Sequence, residues 1–230
     1  MTALSNDFSL HRRYHRSVNL ERDFDQPDAV EGYVLTERSL DALQRMITAF
    51  ADPKAHRAWT LSGVYGTGKS AFANYLTALC APEKSKVAQQ AWHSTAQALS
   101  EDSPLLNQLI ETLPQQGLLR CVVAGQREPL SWTMIRALAN GCQAFWSHKQ
   151  KPDFLQTLTD WQTEISMGRC QITNQQVLTT LEQVTQAAET QVLLVLDTLG
   201  KNLEYAVNHS GTQDLYLLQQ IAELRYKGKY

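Results

Sequence analysis

Metal-binding and disulfide-forming patterns are absent from this sequence of 230 residues. Its four cysteines, Cys80, Cys121, Cys142 and Cys170, are widely separated and form no CxxC pair, and its six histidines form no HExxH motif. Zinc sites and disulfide frameworks depend on such spacings. We therefore expect reduced, largely buried thiols and no zinc site.

Long apolar runs and an excess of one charge are also missing. No run approaches the ~20 apolar residues that span a bilayer, and the N-terminus lacks a signal-peptide pattern. The formal net charge of -2 provides no overall positive field for nucleic acid, although a nucleic-acid target stays open. We expect a soluble, cytoplasmic protein, in which the basic cluster at residues 11–16 belongs to a mobile, solvated arm.

One short stretch carries most of the chemical information. Residues 63–70 read Gly-Val-Tyr-Gly-Thr-Gly-Lys-Ser, which is the GxxxxGK[ST] pattern of a P-loop. Its glycines let backbone N–H groups turn inward around an anion. Lys69 can reach the β- and γ-phosphates of a nucleotide, and the Ser70 hydroxyl can bind Mg²⁺. Eight predicted nucleotide-binding residues lie in this loop or at the start of the helix after it: Gly63, Tyr65, Gly66, Thr67, Gly68, Lys69, Ser70 and Ala71.

The residues around this motif have the pattern that a P-loop requires. Residues 58–62 are mostly apolar and predict a short buried strand, whereas residues 70–79 have apolar side chains at helical spacing. The order strand, glycine turn, helix places the N-terminus of a helix at the phosphate site.

A second motif lies far along the chain. Residues 192–197 form an apolar run that ends in Asp197. A carboxylate at the end of a buried strand beside the P-loop can hold Mg²⁺ together with Ser70. Ligands of parallel sheets bind at the carboxyl ends of the strands, where both motifs fall.

The remaining pattern alternates strands with helices and predicts an α/β fold with a mainly parallel central sheet flanked by helices. We expect an extended lead-in over 1–31 and a P-loop domain over 32–230, with helical insertions at about 83–117 and 150–189. Thr36 is a candidate N-cap for a helix that ends near residue 50. The other predicted elements are a strand at 118–125, helices at about 130–146, 153–166, 173–189 and 212–225, and a strand at 191–197.

Three segments together, residues 32–36, 63–72 and 196–206, resemble bacterial ATPases of the AAA/STAND type. These are N-terminal modules of large proteins found in phage-defence or DNA-processing gene clusters, and the resemblance covers most of residues 17–222. It implies binding of ATP and Mg²⁺. It also implies a nucleotide contact by Thr36 and its neighbours, although helix capping explains Thr36 equally well.

The resemblance has one departure that concerns catalysis. Such ATPases carry glutamate directly after the aspartate of the second motif, where this chain has Thr198. Threonine cannot act as a base near neutral pH, so the sequence leaves hydrolysis open. Glu128, which follows the first strand, is the candidate base beside the catalytic candidates Lys69 and Asp197. Glu204 is a weaker candidate, since an exposed helical glutamate explains it more simply.

The resemblance further implies a strand and a helical lid after the last helix, which this chain lacks. We therefore expect a sheet that is incomplete at the C-terminal side of a shortened or split ATPase. The unpaired edge would be covered by a protein partner, by the missing C-terminal half or by a second copy of the chain.

The sequence favours a nucleotide-dependent switch or motor part, and several other function classes are alternatives to it. A degenerate, non-hydrolysing fragment ranks next. A small-molecule P-loop kinase would carry lid arginines, and residues 83–117 contain none. A GTPase would show an Asn-Lys-x-Asp stretch and an ABC-type ATPase a Leu-Ser-Gly-Gly signature, and neither is present.

Overall fold

The structure, a computed structural model, describes residues 18–52, 54–209 and 212–224. The predicted basic cluster and most of the predicted lead-in lie outside these ranges. The described elements, in chain order, are α1 (Leu20–Asp23), a 3₁₀ turn (Pro27–Ala29), α2 (Glu37–Ala51), α3 (Lys69–Leu79), α4 (Lys86–Ala98), α5 (Pro104–Thr112), β1 (Leu119–Ala124), α6 (Leu130–Phe145), α7 (Phe154–Ser166), α8 (Asn174–Ala188), β2 (Val192–Asp197), α9 (Gly200–Asn208) and α10 (Thr212–Glu223).

The two described strands form a parallel sheet. Leu119 pairs with Val192 at one end and Ala124 with Asp197 at the other, so the carboxyl ends of both strands coincide. Because side chains alternate along a strand, the sheet presents two faces. The Cys121 side of β1 belongs to a core cluster with buried residues of α6 and α8, and Val122 packs on the other side against Leu20. The fold is therefore α/β, as predicted, with helices on both faces of the sheet.

The prediction of a strand at residues 58–62 is wrong. The structure assigns no strand there, and Trp59 and Leu61 are 46% and 41% exposed. Among the described residues, no backbone group of this segment bonds to another backbone group. A strand exists only where a second backbone satisfies its N–H and C=O groups, and apolar composition alone does not supply one. The described sheet consequently has two strands and not the larger central sheet that was predicted.

The other predicted elements are confirmed within one to three residues. Thr36 caps α2, since its side chain accepts a hydrogen bond from the Ser39 N–H at 3.3 Å. Thr173 and Gln176 form a capping box at the start of α8. Two helices were missed: α9, which begins directly after the second motif, and the short α1 inside the predicted extended lead-in.

The four cysteines are free and buried, as the spacing predicted. Burial raises the pKa of the Cys80 and Cys142 thiols to about 12 in each case, because an apolar surrounding disfavours the thiolate. The pKa of Cys121 is also raised, first by burial and then by the neighbouring Cys142. Such thiols are inert as nucleophiles and serve as small apolar core residues.

The contact between α6 and β1 depends on a residue without a side chain. A Cβ atom at Gly141 would lie 2.6 Å from the carbonyl oxygen of Arg120 and 2.7 Å from the Cys121 sulfur. At Gly200, the first residue of α9, a Cβ atom would meet nothing within 4 Å. We therefore predict that Gly141→Ala lowers the free energy of unfolding by about 1–3 kcal/mol through overpacking.

Gly200→Ala is the matched control, since it adds the same methyl group to a helix in open space. It should leave the midpoint of urea unfolding unchanged or slightly raised. Equal effects of the two substitutions would show that α6 does not pack this closely on β1.

Candidate functional site

The glycine loop has the backbone conformation that its sequence requires. Gly66 and Gly68 have φ angles of +82° and +84°, in the left-handed region. A Cβ atom at either position would meet nothing within 4 Å, so space is not what selects glycine there. The requirement is conformational, because other residues adopt positive φ only at a cost of about 1–2 kcal/mol.

Lys69 folds back into this loop. Its Nζ atom donates to the carbonyl oxygens of Gly63 at 2.8 Å and Val64 at 2.7 Å. The Thr67 hydroxyl donates to the same Val64 oxygen at 2.9 Å. The ammonium charge is thereby held beside two backbone carbonyls of the glycine loop.

The loop leads directly into the N-terminus of α3. Gly68 is the N-cap and no side chain caps the helix. The first helical bond runs from the Phe72 N–H to the Gly68 oxygen at 2.8 Å, so the N–H groups of the preceding first turn have no acceptor within the helix. Such a helix start, next to a fixed lysine, is an anion-binding arrangement.

The two predicted motifs meet at one hydrogen bond. The Ser70 hydroxyl donates to Oδ1 of Asp197 at 3.2 Å, although 127 residues separate them in sequence. Both side chains are half-buried. Mg²⁺ in nucleotide sites is held by one or two protein oxygens together with phosphate and water. A hydroxyl and a carboxylate oxygen at this separation fit that ion, and Ser70 and Asp197 are the residues that would hold it.

The position of Asp197 is set by the end of the sheet and the turn after it. The Gly125 N–H donates to the Asp197 carbonyl at 2.7 Å. Thr198 follows with a φ of +56°, a strained conformation for a residue with a branched Cβ. The Lys201 N–H then donates to the Thr198 carbonyl at 3.1 Å as α9 begins. The exposed Thr198 side chain offers a hydroxyl and no titratable group.

Glu128, the predicted base, lies in a buried ion-pair network. Its Oε1 atom accepts from Thr133 at 2.6 Å and from Arg136 at 3.0 and 2.6 Å. Arg136 also pairs with Glu21 of α1 at 2.9 Å and donates to the Ala124 carbonyl at 3.0 Å. These bonds join α1, β1 and α6 through Glu128 and Arg136 and give Glu128 a structural role. Its catalytic role stays a prediction.

The structure also shows where three other predicted site residues lie. Glu204 pairs with Arg127 at 3.1 Å on the surface. The Tyr65 side chain is 96% exposed, and Thr36 caps α2, so their nucleotide contacts stay predictions. The segment before Thr36 is nevertheless tied to the P-loop helix, because the rings of Tyr33 and Tyr75 stack with centroids 4.7 Å apart.

Sequence reasoning missed the residues that support the site. Arg136 is the one charged residue within the apolar helix α6, and a lone charge on a buried helix indicates a buried partner. Nothing in the sequence around Asn202 indicates that its side chain has a buried partner. Its Nδ2 atom donates to the Glu128 carbonyl at 3.1 Å and to the Thr133 hydroxyl at 2.7 Å, and thereby joins α9 to the network.

Comparison of the chain with family models, with curated proteins and with solved structures yields no match. Any function of the chain is therefore inferred from the geometry of its own residues. Within the described ranges, no helix has both the length and the apolar character needed to cross a membrane. The same residues contain no group of three or more His, Cys, Asp and Glu side chains able to hold a metal ion. A site made by one carboxylate and one hydroxyl is not such a group, because it contains a single acidic side chain.

The ion-pair network allows a test with a matched control. Arg136 and Glu128 side chains are only 13% and 10% exposed, so Arg136→Met leaves a buried carboxylate without its cation. We predict a loss of about 3 kcal/mol in the free energy of unfolding. Arg127→Met removes a partner whose pair with Glu204 is 73% and 50% exposed, and it should cost less than about 1 kcal/mol.

Urea denaturation of both variants measures the difference. A loss for Arg136→Met no larger than that for Arg127→Met would show that the network contributes little to folding.

Proposed function

We propose that the chain is an ATP- and Mg²⁺-binding P-loop module of AAA/STAND type that acts as a nucleotide-dependent switch or motor part. The observation that carries the proposal is the hydrogen bond between Ser70 and Asp197. A glycine-rich turn alone is common in proteins. A lysine, a hydroxyl and a strand-end carboxylate at one helix start match the parts that phosphoryl-transfer proteins use.

Each part has a distinct task in the proposed site. The loop N–H groups and the start of α3 receive the phosphates, and Lys69 neutralises their charge. Ser70 and Asp197 hold the metal, which when bound supplies further positive charge to the phosphate oxygens. The phage-defence or DNA-processing setting follows from the resemblance alone.

A second candidate, nucleotide binding without rapid turnover, is favoured by a specific observation. The residue after Asp197 is a threonine, Glu128 is paired with Arg136, and Glu204 is paired with Arg127. A general base must be free to take a proton from water. Thr198 has no carboxylate and the Glu128 carboxylate is buried against Arg136, so we expect slow hydrolysis.

The binding proposal predicts a large effect of Lys69→Ala. Loss of a charged hydrogen bond to phosphate should weaken binding of a fluorescent ATP analogue by at least about tenfold. Lys201→Ala is the control, because Lys201 is an exposed lysine close to Asp197 in sequence. Titration in the presence and absence of Mg²⁺, followed by fluorescence anisotropy, measures both. Asp197→Asn should reduce the gain in affinity that Mg²⁺ provides.

Equal affinities of wild type and Lys69→Ala would refute the proposal, as would the absence of binding by the wild type at millimolar nucleotide. Circular dichroism of each variant checks that α3 and the sheet persist, since Lys69 also bonds to the loop carbonyls.

We also propose that a further polypeptide strand completes the sheet beside β2. The ladder to β1 begins with the bond from the Leu119 N–H to the Gln191 oxygen. In a parallel ladder the N–H groups of alternate residues point to opposite sides. Those of Leu193 and Val195 therefore face β1, and those of Leu194 and Leu196 face away from it.

The edge of β2 that faces away from β1 ends at Asp197, beside Ser70. An added parallel strand would satisfy backbone groups there that have no partner among the described residues. Occupants consistent with the proposal are a protein partner, a further C-terminal segment or a second copy.

This proposal predicts an alternating pattern of amide protection. In the isolated monomer, NMR-detected hydrogen exchange should be slow at Leu193 and Val195 and fast at Leu194, Leu196 and residues 58–62. Sedimentation at several concentrations identifies the monomer, and protection that appears only in a dimer would make the second copy the occupant. Slow exchange at Leu194 and Leu196 in the monomer would contradict a free edge.

A further inference from the structure

An open cavity of about 340 Å³ lies at the opposite end of the sheet from Asp197. Its floor is formed by Leu118 and Arg120, at the amino end of β1, and its walls include Phe24, Asp25, Phe145 and Lys149. The volume falls within the range of small-molecule sites, about 300–1,000 Å³. None of the residues of the proposed nucleotide site lines it.

Arg120 is the unusual residue of this cavity. Its side chain is only 9% exposed, and its Nη2 atom donates to Oδ1 of Asp25 at 2.7 Å. The Nη1 atom is buried and has no hydrogen-bond partner among the residues that the structure describes. A buried charged donor without an acceptor is costly, and a guanidinium is shaped to bind a carboxylate or phosphate through two nitrogens at once. The single bond to Asp25 leaves that capacity unused.

The surroundings of Arg120 favour a ligand with a flat apolar body. The guanidinium carbon lies 5.2 Å from the centre of the Phe24 ring, and the Lys149 Nζ atom lies 3.6 Å from the centre of the Phe145 ring. These contacts hold both cations beside aromatic walls. Among the described residues that line the cavity, Asp25 is the only acidic one, so with Asp25 paired to Arg120 none of them is left to balance the charge of Lys149.

We propose that this cavity binds a small organic anion, with an aromatic or similarly flat body and one carboxylate or phosphate group. The anion replaces the Asp25 carboxylate at Nη2 of Arg120, and its second oxygen reaches the buried Nη1 only after Asp25 has left. Asp25 can leave because its side chain is 45% exposed and water solvates it after the exchange. The body of the ligand packs against Phe24 and Phe145, and Lys149 closes over the charged group.

The proposal makes two substitutions act in opposite directions. Arg120→Met removes the anion's partner and should abolish binding, whereas Asp25→Asn removes the competing carboxylate and should tighten it several-fold. The probes are benzoate and phenyl phosphate, with benzyl alcohol as a neutral molecule of similar shape. Isothermal titration calorimetry should give affinities for the two anions at least about tenfold higher than for benzyl alcohol.

Phenyl phosphate has a second potential site at the P-loop, so the titrations are repeated in Lys69→Ala. Binding that persists in this variant belongs to the cavity, whatever the outcome for the proposed nucleotide site. Thermal unfolding of Arg120→Met shows whether the variant is folded, and Asp25→Asn tests the proposal independently if it is not. Equal affinity for the neutral probe, no binding of either anion, or weaker binding by Asp25→Asn would overturn the proposal.

Discussion

The contact between Ser70 and Asp197 is the constraint on which the candidate site depends. It joins the start of α3 to the end of β2 and therefore relates the glycine loop to the sheet. The segment before the loop makes no backbone bonds to the rest of the described chain, so the loop is positioned through α3. The helix is anchored from the other side by the buried Tyr75, which stacks on Tyr33 and shares a hydrogen bond with Thr95.

A second set of polar contacts supports the carboxyl ends of the strands. Arg136 connects α1, β1 and Glu128 through its three guanidinium nitrogens, and Asn202 adds α9. Breaking one member of such a buried network leaves the others unsatisfied, so the network favours a single arrangement of these elements. The same network withdraws Glu128 from solvent.

Local signals predicted the elements that are stabilised locally. The helix starting after Thr36 has its cap in the sequence, and the glycines at positions 66 and 68 of the loop have positive φ angles. The meeting of Ser70 and Asp197 was predicted from the strand-end rule for parallel sheets.

The features that were wrongly predicted or missed depend on partners that are distant in sequence. The apolar segment 58–62 has the composition of a strand and no neighbouring backbone in the described chain. The unused donor of Arg120 and the bonds of Asn202 follow from packing that no periodicity records. Composition indicates whether a segment favours burial. Only the tertiary structure shows whether other residues are placed to cover it.

Thr198 has a consequence that extends beyond its lack of a carboxylate. A threonine held at a φ of +56° stores conformational energy in the two-residue link between Asp197 and α9. The Gly125 N–H bonds to Asp197 before this link, and Asn202 bonds to Glu128 and Thr133 after it, so the strained turn is fixed at both ends.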